Sequence, residues 1–236
     1  MKTSVMKTAL FALLAIVIAG CAKQGGRDQW TEEEAWAWQE RVGVIKGFNE
    51  PYPAYPGQTR LEILQKAKEL GFNSVRKWIN GETSEEMIAN LQSILNDAEK
   101  CGMTVSPVFA NPRNAYREAL KNNDTIDLKK IEDAIRPVLR HFANEDRIVF
   151  WDLWNEPRFE DNESTYEQMD IIEQMVYWAR EENVQQPITS SIIWATINLD
   201  NQALKRTTQV EAMMDIHNFH SYDCALHFGK NIYETL

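Results

Sequence analysis

The sequence predicts an α/β fold of (β/α)8-barrel type, with about six β/α units present, from three observations. Apolar runs alternate with amphipathic segments, and the runs begin every 26 to 44 residues. The runs are apolar enough to be covered on both faces, which implies a parallel sheet. The stretch after the first run, Gly47-Phe48-Asn49-Glu50-Pro51, lacks the glycines that let backbone amides cradle a phosphate. An open nucleotide-binding sheet is therefore the weaker fit, and chemistry is expected at the carboxyl ends of barrel strands.

Taken in order, residues 1–20 read as an export signal. Lys2 and Lys7 precede an apolar stretch, Ala9 to Ala19, that is too short for a stable membrane span. Ile18-Ala19-Gly20-Cys21 resembles a bacterial lipobox, which implies cleavage before Cys21 and acyl chains on its sulfur and new amino group. An ordinary secretory signal is the alternative. Residues 21–30 have the composition of a flexible tether, and 31–236 form the barrel-like domain.

Strands are predicted at Val44–Asn49, Ser74–Ile79, Thr104–Ala110, Ile148–Trp154, Ile188–Trp194 and Met214–His220. Helix starts are marked by a hydroxyl three residues before a glutamate at Thr31/Glu34, Thr59/Glu62, Thr83/Glu86 and Ser164/Glu167. Leu61, Leu64, Ala67 and Leu70 share one helical face, and Gly71 follows as a stop. Met87, Leu91, Ile94, Leu95 and Ala98 repeat the pattern before Gly102. Leu128, Ile131, Ile135, Val138 and Phe142 mark a further helix, which Pro137 should kink or shorten. Trp36 and Trp38 read as packing residues of the first helix.

The formal charge is −10, and loss of Lys2 and Lys7 with the leader makes the chain two charges more acidic. With no basic stripe, nucleic acid is excluded as a partner, and a neutral or cationic ligand is favoured. Apart from Cys21 the cysteines are Cys101 and Cys224, too few to make a zinc site; their default is burial as apolar side chains, with a disulfide between them as the alternative.

The run Ile148 to Pro157 carries the functional argument. It is an apolar strand ending in Asn155 and Glu156, closed by a proline that cannot donate to the ladder. The other strand ends contribute Arg76, Trp78, Asn111, Trp194, His217, His220 and Tyr222. A carboxyl group to move a proton, amide, guanidinium and imidazole to hold hydroxyls, and flat rings to stack on sugar are what glycoside cleavage requires.

Trp154-Asn155-Glu156-Pro157 after the fourth strand resembles the signature of clan A glycoside hydrolases. Gly71-Phe72-Asn73-Ser74-Val75-Arg76 and His220-Ser221-Tyr222 resemble the same clan's patterns at the second and sixth strands, nearest to the cellulase- and mannanase-like family 5. The resemblance implies a retaining hydrolase of β-linked poly- or oligosaccharides needing neither metal nor organic cofactor. It makes Glu156 the general acid/base and sets Asn155 on the sugar 2-hydroxyl. Arg76 would orient the nucleophile, and His220 and Tyr222 would line the cleavage subsite. The third strand departs from the pattern, with Asn111-Pro112-Arg113 where many members place a histidine.

Plainer readings stand beside these. Arg76 could simply pair with Asp152, expected on the same strand face as Glu156, and Trp78 and Trp194 could be core aromatics rather than sugar platforms. His217 reads as a core histidine. Asn49-Glu50-Pro51 repeats the tripeptide at the mouth, where Glu50, Tyr52 and Tyr55 could touch substrate without Glu50 being catalytic. In the resembling clan the nucleophile comes from a seventh strand, whereas this sequence reaches Leu236 in what reads as the helix after the sixth. Two missing units would leave two strand edges unpaired and the lumen open, so a marginally folded, weakly active chain, or one completed by another segment, is expected. The overall expectation is an envelope-anchored glycosidase, with carbohydrate and, through Cys21, membrane as partners. A non-catalytic glycan-binding lipoprotein is the alternative, and a two-lobed solute-binding protein has no second lobe to support it.

Overall fold

The computed structural model describes residues 26–50, 56–157, 163–193 and 202–220. Within them, helices α1 (Glu32–Val42), α2 (Arg60–Glu69), α3 (Ser84–Lys100), α4 (Asn111–Asn122), α5 (Leu128–His141), α6 (Glu163–Glu181) and α7 (Gln202–Glu211) surround a parallel sheet. Its strands are β1 (Gly47–Asn49), β2 (Ser74–Ile79), β3 (Thr104–Phe109), β4 (Trp151–Asn155), β5 (Ile188–Ile193) and β6 (Asn218–His220), hydrogen-bonded in sequence order. Sequential order means every crossover steps the same way, which rolls a twisted sheet toward a barrel. A doubly wound sheet would reverse direction at a switch point. The rolling is visible in a cavity of about 210 Å³ that Gly47, Phe48 and Asn49 of β1 share with Asn218 and His220 of β6. Strands at opposite ends of the order thus face one lumen.

The helix starts follow their local chemistry. Thr31 and Thr59 form reciprocal capping boxes with Glu34 and Glu62. At Thr83 the hydroxyl accepts from the Glu86 amide, but the Glu86 carboxylate turns instead to the Glu82 amide. Met87, Leu91, Ile94, Leu95 and Ala98 of α3 are all buried, in one cluster with Ile131, Ile135 and Val138 of α5. Leu70, by contrast, is 69% exposed, because α2 ends one residue earlier and the chain turns away at Gly71, φ 90°. Helix α5 runs through Pro137 to His141, so proline neither ends nor shortens it there. Helix α4 carries no apolar repeat obvious in sequence, yet Pro112 at its start and Tyr116 beneath it fix it against Trp154 at 6.1 Å.

Strand β4 begins three residues later than sequence predicts, and Pro107 explains this. Proline in the middle of β3 has no N–H for the ladder. Ile148 therefore meets β3 only through an isolated bridge to Val105, and the next pair is Val108 with Asp152. A second irregularity lies between β4 and β5, where three steps from Asp152 to Asn155 face two steps from Thr189 to Ser191. Cys101 is buried as a free thiol. Among the described residues no helix is long and apolar enough to cross a membrane.

Residues 26–30, the described part of the segment before α1, are docked. The Arg27 amide donates to the Arg180 carbonyl, and its guanidinium meets the Val184 and Gln186 carbonyls and the Asp215 carboxylate. Trp30 packs edge-on against Trp38 at 6.3 Å, and the Trp38 indole donates to the Val149 carbonyl. Trp36, expected to pack, is 61% exposed.

Leu91→Ala should cost about 2–5 kcal/mol, the usual range for emptying a fully buried leucine site. At about 2–4 °C per kcal/mol for a domain of this size, calorimetry should record a Tm drop of roughly 5–20 °C. Leu70→Ala should stay within about 0.5 kcal/mol of the parent, as exposed positions do.

Candidate active site

Strand alternation puts Ser74, Arg76 and Trp78 of β2 on the lumen side and Val75, Lys77 and Ile79 on the helix side, as their burial pattern records. On β4 the extra residue against β5 changes the parity. Asp152 and Asn155, an odd number of residues apart, both reach the same guanidinium, while Trp154 turns toward α4. The bulge adds Asn155 to the lumen face that Asp152 occupies.

Arg76 is the centre of the arrangement. Its Nε and one terminal nitrogen donate to Asp152 Oδ2 at 3.1 and 2.7 Å, and that nitrogen also donates to Asn155 Oδ1 at 2.7 Å. The other terminal nitrogen donates to Asn49 Oδ1 at 3.2 Å, and the guanidinium lies 5.9 Å from the half-buried Trp78 ring. Because the Asn155 oxygen is committed to Arg76, its amide nitrogen is turned away from the cation. Asp152 is completely buried and also accepts from the Ser191 hydroxyl and the Ser191 amide. Burial pushes its carboxyl up from the ordinary range, and the Arg76 charge and Ser191 hydroxyl act against that rise. Asn218 donates to the Ser191 oxygen at 2.8 Å. The plain reading of Arg76, pairing with Asp152, is the one these contacts display.

Glu156 leaves the strand with φ 53°, a left-handed conformation unusual for a residue with a side chain. The following proline makes it more so, since a residue before proline prefers extended backbone. The Glu156 amide donates to the Ser191 carbonyl at 2.8 Å, which holds the turn. The carboxyl lies with Oε1 2.7 Å from His220 Nδ1. With Glu156 ionised, Nδ1–H donates to it; with Glu156 protonated, its O–H donates to Nδ1. The pair can therefore hold a proton at the mouth in either state. Strain of about 1–3 kcal/mol stored at such a backbone is a frequent mark of a working residue.

The structure thus brings together Arg76, Trp78, Asn155, Glu156 and His220. Tyr222, Trp194 and Cys21, and the loop tyrosines Tyr52 and Tyr55, lie outside the described residues, as does Cys224. Glu50 does not offer its carboxylate to the mouth: it is buried and held by Lys77 Nζ at 3.0 Å and Arg60 Nε at 3.5 Å. Lys77 points to the helix side of β2, which takes Glu50 with it. His217 is no core residue. It sits at the amino end of β6, largely exposed, 3.8 Å from the buried Glu211, whose carboxylate raises the imidazole pKa. Asn111 opens α4, and its amide donates to the Gly81 carbonyl. Sequence reasoning passed over Ser191, Asn218 and Asn49. The signal available was the buried polar run Thr189-Ser190-Ser191 in an otherwise apolar strand. Among the described residues no cluster of three His, Cys, Asp or Glu side chains could hold a metal ion.

Glu156, left-handed at the carboxyl end of the parallel strands, thus stands among an imidazole, an amide and a guanidinium. The chain belongs to glycosyl hydrolase family 5, the cellulase family, whose model matches residues 36–234. The fold is shared with the solved exo-β-1,4-mannosidase Op5Man5 from Opitutaceae bacterium strain TAV5, at TM-score 0.58 and 16% identity, covering 86% of this chain and 41% of that one. It is also similar to β-1,4-D-mannanase from Cryptopygus antarcticus, at TM-score 0.50 and 15% identity, covering 72% and 61%. The β-galactosidase from the psychrophilic Marinomonas ef1 matches at TM-score 0.52 and 10% identity, covering 76% and 41%. The chain therefore spans 41% to 61% of the length of these three structures. No curated protein sequence matches it.

Ser191→Ala removes a hydroxyl donor from the buried Asp152 carboxylate and should lower stability by about 1–3 kcal/mol in urea titration. The histidine at 217 offers a second check. Its raised folded pKa means its stabilising contact is fully present below the unfolded value near 6.5 and is lost as pH rises through the folded value. In Glu211→Gln the His217 proton resonances should titrate at lower pH than in the parent.

Proposed function

We propose that this chain is the catalytic-mouth portion of a lipid-anchored glycoside hydrolase acting on a β-linked glucan or mannan. Cys21 is the anchor, and Glu156 is the group that exchanges a proton with the glycosidic oxygen. The observation that carries the reading is the Glu156–His220 contact at 2.7 Å, set beside an Asn155 amide oriented by Arg76. A protonated Glu156 would donate to the departing oxygen as its bond to the anomeric carbon breaks, and the resulting carboxylate would take a proton from the water whose oxygen then bonds to that carbon. The amide nitrogen of Asn155, turned from the cation, would hold the 2-hydroxyl of the sugar, and Trp78 would supply a flat face beside it. Family membership and the mannanase and mannosidase neighbours support the substrate class.

Retaining hydrolysis needs a second carboxylate about 5–5.5 Å from the first, free to attack the anomeric carbon. Among the described residues Asp152 is engaged by Arg76 and Glu50 by Lys77 and Arg60. Neither of these two is free to attack, and glycan binding without turnover is the second reading.

Calorimetric titration with mannotetraose and cellotetraose separates the readings. Binding of one of them should weaken about tenfold in Asn155→Ala, equivalent to about 1.4 kcal/mol, and change little in Glu156→Gln. Any measurable hydrolysis should vanish in Glu156→Gln. Absence of affinity for both sugars would overturn the assignment.

A further inference from the structure

The docked segment ahead of α1 fixes where the polypeptide leaves the barrel. Gly26 lies so close to the Arg180 carbonyl that any side chain there would collide with backbone. Arg27 is clamped by the Val184 and Gln186 carbonyls and by Asp215, whose carboxylate also receives the Ile188 and Trp30 amides. Apart from Trp30 of the segment itself, these partners lie in the last turn of α6, on the segments entering β5 and β6, or at the amino end of β5. Glu156 sits at the opposite, carboxyl end of the neighbouring strand. The exit point and the site therefore lie on opposite faces of the barrel.

Tether length turns this into an orientation. Six residue steps separate Cys21 from Arg27, and fully extended they reach only about 20 Å. The barrel wall is taller than that. Helix α3 has 17 residues and α6 has 19, which makes them roughly 25 and 28 Å long at 1.5 Å per residue. A chain anchored at Cys21 cannot pass its tether along the wall and bring the mouth down to the bilayer.

The face that remains has the surface such a position requires. Trp36 is 61% exposed, Val44 71% and Leu70 69%. Val44 enters β1 and Leu70 leads into β2, so both lie at the amino ends of the strands. Trp36 of α1 lies at the same end, lining a cleft with Ile45, Phe150 and Asp215, which precede β1, β4 and β6. Charges around these side chains are of both signs, with Glu32, Glu33 and Glu40 exposed alongside Arg41, Lys46 and Lys68. A mixed rim around an aromatic and two aliphatic groups suits a zwitterionic lipid surface, where indole rings settle at the headgroup level, and gives no preference for anionic lipid.

We propose that the amino-end face of the barrel, through Trp36, Val44 and Leu70, rests on the membrane that holds the Cys21 acyl chains, with the Glu156 mouth pointing away from it. Substrate then arrives from the aqueous side as free glycan, not as a saccharide on a lipid carrier in the same leaflet. The orientation rests on the anchor at Cys21 and is independent of whether the mouth hydrolyses.

The test uses the full chain, lipidated in a bacterial host and reconstituted in phosphatidylcholine vesicles with brominated acyl chains. Tryptophan fluorescence should be quenched, and Trp36→Phe should remove at least half of the quenched intensity. Trp78→Phe, at the mouth, should remove none. Quenching that survives Trp36→Phe, or disappears in Trp78→Phe, overturns the orientation. Cys21→Ala should move the protein from detergent to the aqueous phase in detergent partitioning; unchanged partitioning overturns the anchor on which the orientation rests. Sedimentation of the soluble Cys21→Ala protein should show monomers; dimers dissociated by Trp36→Asp would assign this face to a second copy and overturn the lipid assignment.

Discussion

The Arg76–Asp152 ion pair is the constraint on which the rest of the site depends. It spans the lumen from β2 to β4 with a carboxylate that no water reaches. Removing either partner alone leaves a buried charge unmet, a loss of about 3–5 kcal/mol in comparable pairs. The pair also aims the mouth. Arg76 donates to Asn155 and Asn49 and lies against Trp78, so one guanidinium sets the positions of groups on three strands. Ser191 supports it from β5 twice, with its hydroxyl and amide on Asp152 and its carbonyl on Glu156.

The backbone departs from ideal ladders where the site needs it to. Pro107 thins the contact between β3 and β4, the bulge against β5 adds a residue, and Glu156 turns left-handed before Pro157. A regular β4 would present Asp152 and Glu156 to the lumen and turn Asn155 into the helix layer, away from Arg76. The irregularities instead let three consecutive functions, buried anchor, amide and carboxyl, issue from one short strand.

The two faces of the barrel carry different chemistry. Polar and titratable groups meet at the carboxyl ends, while the amino ends hold the docked Gly26–Val42 segment and the exposed Trp36, Val44 and Leu70. This division follows from parallel topology, which places every strand end of one kind on the same side.

The sequence by itself determined the elements that depend on local chemistry and periodicity. The parallel α/β alternation, the limits of β2, the buried stripe of α3, the capping boxes at Thr31 and Thr59, and the strand ending in Asn155-Glu156-Pro157 were all legible, because each is encoded within a few neighbouring residues. Leu70 escaped because helix exit direction is set by the packing that follows it. The captured Glu50, the Ser191 and Asn218 links, the docked Arg27 and the reversed parity of β4 were decided only by tertiary structure. Each depends on which residues from distant strands face one another, and a single inserted residue in a ladder changes that without leaving a mark in the local pattern.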